Sequence, residues 1–194
     1  VNRHLTKAPF DDERRRLRKK YRPGHPDYHK WRICRWCGKP LPGRRTAWCS
    51  SECEHEYKIR AWPSYAAGKV YNRDLGVCAA CGLDTREFQK RTRYVWKLQG
   101  GWFYEPVDHL RVWARKKIEH WCSQGWPINA LNGSRRPWDC DHIHSVVEGG
   151  GECGLDNLQT LCIPCHKKKT AELAAKLAQE RAKKKGRGIQ GELF

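Results

Sequence analysis

The chain has 194 residues, with 39 Lys and Arg against 21 Asp and Glu, a formal charge of +18. Its mean hydropathy of −0.89 makes it a poor candidate for a large apolar core. Something besides core area must hold the fold, and in small domains that is often metal or disulfide.

Eleven cysteines favour metal, because the number is odd and eight fall in close pairs: Cys34/Cys37, Cys49/Cys53, Cys78/Cys81 and Cys162/Cys165. Two thiolates on a tight knuckle suit tetrahedral zinc, so two structural Zn²⁺ ions are expected. There is no secretory signal and no membrane-length apolar run, which predicts an intracellular, reducing setting (cytoplasm or nucleoid, if bacterial). With eight thiolates and two zinc ions the charge would still be about +14, so a polyanion, foremost DNA, is the expected partner, with no membrane.

In chain order, residues 1–30 read as a basic N-terminal arm, with a short helix over Glu13–Lys20 stopped by Pro23, Gly24 and Pro26. The arm reads equally as solvated or as contacting phosphate. Residues 31–61 hold Cys34, Cys37, Cys49 and Cys53. Gly38 suits a knuckle turn, Ser50 or Ser51 a helix N-cap, and the whole a treble-clef-like zinc finger. His55 is expected on the surface of that helix.

Residues 62–183 form the next expected domain. A helix is predicted over 63–76, with Ala66, Ala67, Val70 and Tyr71 as its apolar stripe. The knuckle Cys78–Gly82 follows. Helices are predicted near 84–98 and 106–123, split by Gly100-Gly101. Trp96, Trp102, Trp113, Trp121 and Trp126 are expected to pack inside, and His120 and Cys122 to be structural or surface residues. Arg135 and Arg136 are possible phosphate contacts, or part of a solvated turn.

Residues 138–170 read WDCDHIHSVVEGGGECGLDNLQTLCIPCHKKKT. Strand character over 138–143, a Gly-rich loop, a strand over 158–161 and Pro164 at a helix start predict strand, loop, strand, helix. Cys162 and Cys165 bracket the helix start, and Cys78/Cys81 are their expected zinc partners. Cys165 and His166 diverge by about 100° on a helix, so each can serve a different metal. Asp139 shares a strand face with Asp141, with a structural role favoured for it over one beside the metal. Cys140 and Cys153 are expected to be buried free thiols.

Asp141-His142, Asn157 and His166, with Cys78/Cys81 and Cys162/Cys165, resemble the HNH (ββα-metal) endonucleases in order and spacing over about 63–172. The upstream finger followed by NRDLGVCAACGLDT is similar to bacterial HNH proteins with an extra N-terminal zinc finger, and to the HNH region of an annealing helicase-nuclease. The resemblance implies an α+β fold: a small zinc-stabilised ββα-metal domain with added helices behind a treble-clef-like module. It implies that Asp141 and His166 hold one catalytic Mg²⁺ or Mn²⁺. It also implies that His142 is the general base and that Asn157 orients the loop. His144 and Lys167 are possible phosphate contacts. The implied activity is DNA cleavage to 5′-phosphate and 3′-hydroxyl ends. The alternatives are a zinc-stabilised DNA-binding adaptor without catalysis and a restriction or homing type of HNH nuclease.

Residues 184–194 read as a flexible basic tail. Its last residues, Gln190-Gly191-Glu192-Leu193-Phe194, resemble peptides that bind the replication sliding clamp. Gln190, Leu193 and Phe194 would be the anchors of such a peptide, and a place in replication or repair would follow; the alternative is a frayed terminus that matches by chance.

Overall fold

A computed structural model describes residues 7–100 and 107–190, with side chains to residue 183. The mixed helix and strand content is α+β. Contacts divide the chain into two compact units, Val1–Arg73 with His142–Gln159, and Asp74–Asp141 with Thr160–Phe194.

The first unit is built around the Cys34/Cys37/Cys49/Cys53 cluster. Helix α1 (Asp11–Lys20) precedes it, with acidic residues in its first turn and basic ones in its last, as the helix dipole prefers. The expected arm is therefore largely a docked element rather than a free one. The Phe10 N–H donates to Arg35 O (3.0 Å), and the Arg14 guanidinium donates to Thr46 O (2.7 Å). Arg35 forks onto Asp11 at 2.5 and 2.8 Å and lies over the rings of Trp48 and Tyr57. Sequence reading missed this docking because both partners of each contact look like surface residues. Gly38 is fixed by the same docking: its φ is +73°, and a Cβ there would lie 2.7 Å from the Phe10 ring. Helix α2 (Ser51–Ala61) is N-capped by Ser50, whose hydroxyl accepts from the Cys53 N–H (3.3 Å). His55 Nδ1 meets the Tyr65 hydroxyl at 2.8 Å. Helix α3 (Pro63–Arg73) buries Ala66, Ala67 and Val70. Its Arg73 donates to Leu155 O and Leu158 O, both at 2.6 Å, which ties down the end of the Gly-rich loop.

The Asp11 carboxylate sits below its ordinary value, chiefly through the hydrogen bond from Arg35. A depressed folded-state value means stability present above the unfolded value and lost as pH falls through the folded one. Asp11→Asn should therefore cost about 1 kcal/mol near pH 7. The gap to wild type should hold down to pH 5 and close below about pH 4. Urea melts of both proteins across that range check this; a gap independent of pH would contradict it.

In the second unit, α4 (Thr85–Lys97) starts at Asp84, whose carboxylate accepts from the Arg86 and Glu87 N–H groups. It packs with α5 (Asp108–Ser123) and the short α6 (Ile128–Leu131). Phe88, Val95, Leu98, Ala114, Ile118 and Leu131 form the core with Leu161 and Ile163. Trp126 stacks on Phe88 at 4.1 Å, and Trp96 and Trp121 lie against the core. Trp113 is a correction to the expected interior set: it is 43% exposed, because the buried side of α5 runs through Ala114 and Ile118. Trp102 lies outside the described residues.

Strands β1 (Trp138–His142) and β2 (Leu158–Cys162) form a two-stranded sheet. The Ile163 N–H donates to Pro137 O and the Ile143 N–H to Asn157 O, so the start of one strand meets the end of the other and the pair is antiparallel. Helix α7 (Ile163–Gln190) follows. It runs past the expected stop near 183 and through Gly186 and Gly188, so the backbone up to 190 is helical rather than a loose tail. The Ala, Lys, Glu and Gln richness of 171–185 offsets the roughly 1 kcal/mol cost of each glycine. Among the described residues no helix is long and apolar enough to cross a membrane.

Candidate active site

Two cysteine clusters come together, Cys34/Cys37/Cys49/Cys53 and Cys78/Cys81/Cys162/Cys165, each with all four sulfurs within 4.8 Å of one another. Four thiolates at about 2.3 Å from one zinc in a tetrahedron are about 3.8 Å apart. The Cys37–Cys49, Cys49–Cys53 and Cys81–Cys162 sulfur separations are 3.5, 3.4 and 3.7 Å, and none of these cysteines is in a disulfide. Both donor sets therefore fit zinc. Burial would raise the Cys34 and Cys78 thiols, but backbone N–H donors of the knuckles outweigh it and bring each down to about 7. Burial pushes Cys165 up to about 11 and Cys53 up to about 12. Crowded thiols that cannot all ionise alone are what a dication would relieve.

The second cluster places α7. Cys162 ends β2, and Cys165 and His166 lie in the first turn of the helix. Asp139 and Asp141, two residues apart on β1, both reach the His166 ring, which shows that they share a face. His166 Nδ1 is 3.1 Å from Asp139 Oδ2, and its Nε2 is 3.7 Å from Asp141 Oδ1. Asp139 also receives a two-pronged contact from Arg135 at 3.1 and 2.9 Å. Lys169, one turn beyond His166, reaches Asp141 Oδ2 at 2.5 Å. The hydrogen bond to Asp139 raises His166 above its ordinary value, and the bond to His166 holds Asp139 below its own. A carboxylate on Nδ1 fixes the imidazole with Nε2 directed at Asp141, the arrangement by which histidine ligands are oriented. Two donors 3.7 Å apart can share one small divalent ion with ligand distances of about 2.1 Å, so oxygen and imidazole here fit Mg²⁺ or Mn²⁺.

Asp139 and Lys169 were the residues undervalued by sequence reading. The available signals were the strand period for Asp139 and the i, i+3 spacing from His166 for Lys169. Asp139→Asn should lower divalent-ion affinity about 10- to 100-fold. Without added ion it should bring the His166 titration back down toward the ordinary imidazole range. Histidine NMR titration checks this; an unmoved His166 would contradict it.

In the first unit the Asn157 amide spans the Gly-rich loop. Its oxygen accepts from the His144 N–H (2.7 Å), and its nitrogen donates to His144 O and Gly150 O, both at 3.0 Å. Gly150 is required there, because a Cβ would lie 2.0 Å from His144 O and 2.7 Å from the Asn157 amide nitrogen. His142 is the half-buried last residue of β1 and follows Asp141 directly in the chain.

Residues 129–172 match the HNH endonuclease family. The chain carries an HNH domain. Mouse "DNA annealing helicase and endonuclease ZRANB3" is 35% identical over 160 residues, covering 75% of this chain and 13% of that protein. Its human counterpart is 37% identical over 141 residues, covering 69% of this chain and 12% of that protein. The chain thus spans only a small part of the length of these relatives. The crystal structure of the human ZRANB3 HNH domain shares 34% identity, covers 61% of this chain and 95% of that one, and has a TM-score of 0.37.

Within the HNH domain, the expected phosphate contacts already have internal partners. His144 Nε2 meets Glu148 O at 2.7 Å, and Lys167 donates to Gly125 O at 2.9 Å. Arg135 holds Asp139, and Arg136 lies 4.2 Å over the Trp138 ring. Phosphate would have to compete for each. Cys122 is exposed, and Cys140 and Cys153 are half-buried rather than fully buried. Gln190 ends α7, and Gly191, Glu192, Leu193 and Phe194 lie outside the described residues.

Proposed function

We propose that this protein is a divalent-metal-dependent DNA endonuclease that leaves 5′-phosphate and 3′-hydroxyl ends. The observation that carries the reading is the His166 ring, held by Asp139 on one nitrogen and directed at Asp141 with the other.

Asp141 and His166 would hold the ion, one through oxygen and one through Nε2. When bound, it supplies charge stabilisation to the phosphate and to the departing 3′ oxygen. The remaining work falls to the chain. Asp139 keeps the His166 proton on Nδ1, leaving Nε2 as a donor of electrons. His142 takes a proton from the attacking water as its oxygen bonds to phosphorus. The P–O3′ bond breaks, and its electron pair leaves with the 3′ oxygen, which is protonated from solvent. Asn157 pins the backbone at His144, two residues past His142, and so limits the course of the chain leaving β1. Cys78, Cys81, Cys162 and Cys165 would hold structural zinc and set the start of α7.

DNA as substrate is supported by the family match, by the name of the ZRANB3 relatives and by the +18 charge. Resealing of the cut strand by DNA ligase without prior end repair tests the product chemistry. Ends that ligate only after phosphate removal or addition would overturn it. A role beside the replication machinery rests on the terminal Gln190–Phe194 peptide alone. An anisotropy titration of that labelled peptide against a bacterial sliding clamp tests it: saturable binding is expected, and none would end the idea.

A further inference from the structure

The first unit contains a basic cleft that takes no part in the chemistry above. It has a volume of about 720 Å³ and is lined by Arg14, Arg15, Arg18, Lys19, Arg22 and Arg35, with Trp31 in its wall. The carboxylate in the lining, Asp11, is already held by Arg35 at 2.5 and 2.8 Å. Asp12, beside the cleft, lies 3.4 Å from Lys7 and 3.9 Å from Arg15, and with both carboxylates counted the lining still carries a net positive charge. Two donors in the same wall lack acceptors: Arg14 Nε and Trp31 Nε1 are both buried with no hydrogen-bond partner. Both atoms lie behind the surface of the cleft, so the groups that face an anion are the exposed Arg15, Arg18, Lys19 and Arg22.

The shape of the charge identifies the class of anion. Arg14 and Arg18 stand one helical turn apart on α1, with guanidinium carbons 5.8 and 5.3 Å from the Trp31 ring centre. Arg15 and Lys19 form a second row beside them, and Arg22 follows the end of the helix. A line of cations spaced by about 6 Å per helical turn fits a polymer of phosphates better than a single small anion. Burial, and next the neighbouring Arg35, pull the Arg14 guanidinium below its ordinary value, so added negative charge would relieve this group.

We propose that this cleft is a DNA-backbone site that grips phosphodiesters other than the one that is cut, with the exposed Arg15, Arg18, Lys19 and Arg22 reaching phosphate oxygen and Arg14 and Trp31 forming the wall behind them. The proposal rests on DNA being the substrate of the HNH domain, and it assigns substrate retention to the zinc-finger unit. Its contacts go to phosphate, so it contributes affinity without sequence preference.

The test is anisotropy of the zinc-loaded 194-residue chain on a labelled DNA duplex with no other divalent ion added, repeated over a range of salt. Arg18→Ala/Arg22→Ala should weaken binding about tenfold at 0.1 M salt and flatten the log–log salt slope by about 1 to 2. Lys116→Ala/Lys117→Ala, on exposed residues of α5, controls for net charge and should change affinity much less. Thermal melts must show each variant folded. An Arg18/Arg22 variant that binds like wild type, or no worse than the α5 control, overturns the proposal. A response to inorganic phosphate alone, with DNA affinity unmoved, makes the cleft a free-anion site and also overturns it. The measurement reads binding, so the two readings fail separately. A protein that grips DNA through the cleft but never cuts refutes the nuclease reading only, and one that cuts with an indifferent cleft refutes this one only.

Discussion

His166→Ala should reduce DNA cleavage at least about a thousandfold, more than the loss of a single charge-stabilising donor usually costs. Asp141→Ala should do the same. Each removes one of the two donors that stand 3.7 Å apart, and neither neighbour can replace it. Asp139 is committed to His166 Nδ1 and Arg135, and Lys169 is a cation. Zinc content should stay at two ions per chain in both variants, because no cysteine has changed. The melting temperature should fall by only about 2–4 °C, since each variant loses a half-buried ion pair, to Lys169 or to Asp139. The loss would then be chemical rather than structural. Single-turnover cleavage with Mg²⁺ and with Mn²⁺ measures it. Retention of more than a tenth of wild-type activity by either variant would exclude that residue as an ion ligand.

Cys81→Ala should have a second large effect for a different reason. Cys81 is the exposed member of its cluster, so removing its side chain leaves almost no packing cavity. Any large effect must therefore come from the metal. Structural zinc sites in small modules carry apparent binding energies of about 10–16 kcal/mol, which exceeds the stability of most domains this size. The expected result is one zinc per chain instead of two, a broad early melt of the second unit, and lost cleavage with Asp141, His142 and His166 all unaltered. The link is geometric: Cys162 and Cys165 flank the junction of β2 and α7, and His166 is the next residue. Metal analysis with calorimetry decides it. Two bound zinc ions and a wild-type melt would show that Cys81 is not a ligand.

The cysteine pairs were legible in the sequence because knuckle spacing is local, and local geometry follows from a few neighbouring residues. The strand–loop–strand–helix order was legible for the same reason, with Pro164 and the glycines as punctuation. What escaped was non-local. The docking of α1 depends on Asp11 meeting Arg35 across two dozen residues, and a basic run gives no sign of it. Asp139 was visible as a strand neighbour of Asp141, but its tie to His166 depends on where α7 lies against β1. Trp113 was misread because aromatic content was weighed without tracking which face of α5 it occupies. The length of α7 was misread because two glycines were weighted above a strongly helical run.

The basic cleft bears on the economy of the whole. An active site built from a few half-buried groups offers little surface for holding DNA. In the first unit the cleft lined by arginines offers such surface. That division assigns chemistry to residues near β1 and α7 and retention to residues near α1.

The most direct test of the central claim is nicking of supercoiled plasmid by the zinc-loaded protein with added Mg²⁺ or Mn²⁺, wild type beside His142→Ala. Wild type should convert the plasmid to the open circle, and the variant, with equal zinc content and equal DNA affinity, should not. Equal cutting by both would place the activity elsewhere, and no cutting by either on any DNA form would leave a zinc-stabilised DNA-binding adaptor in place of an enzyme.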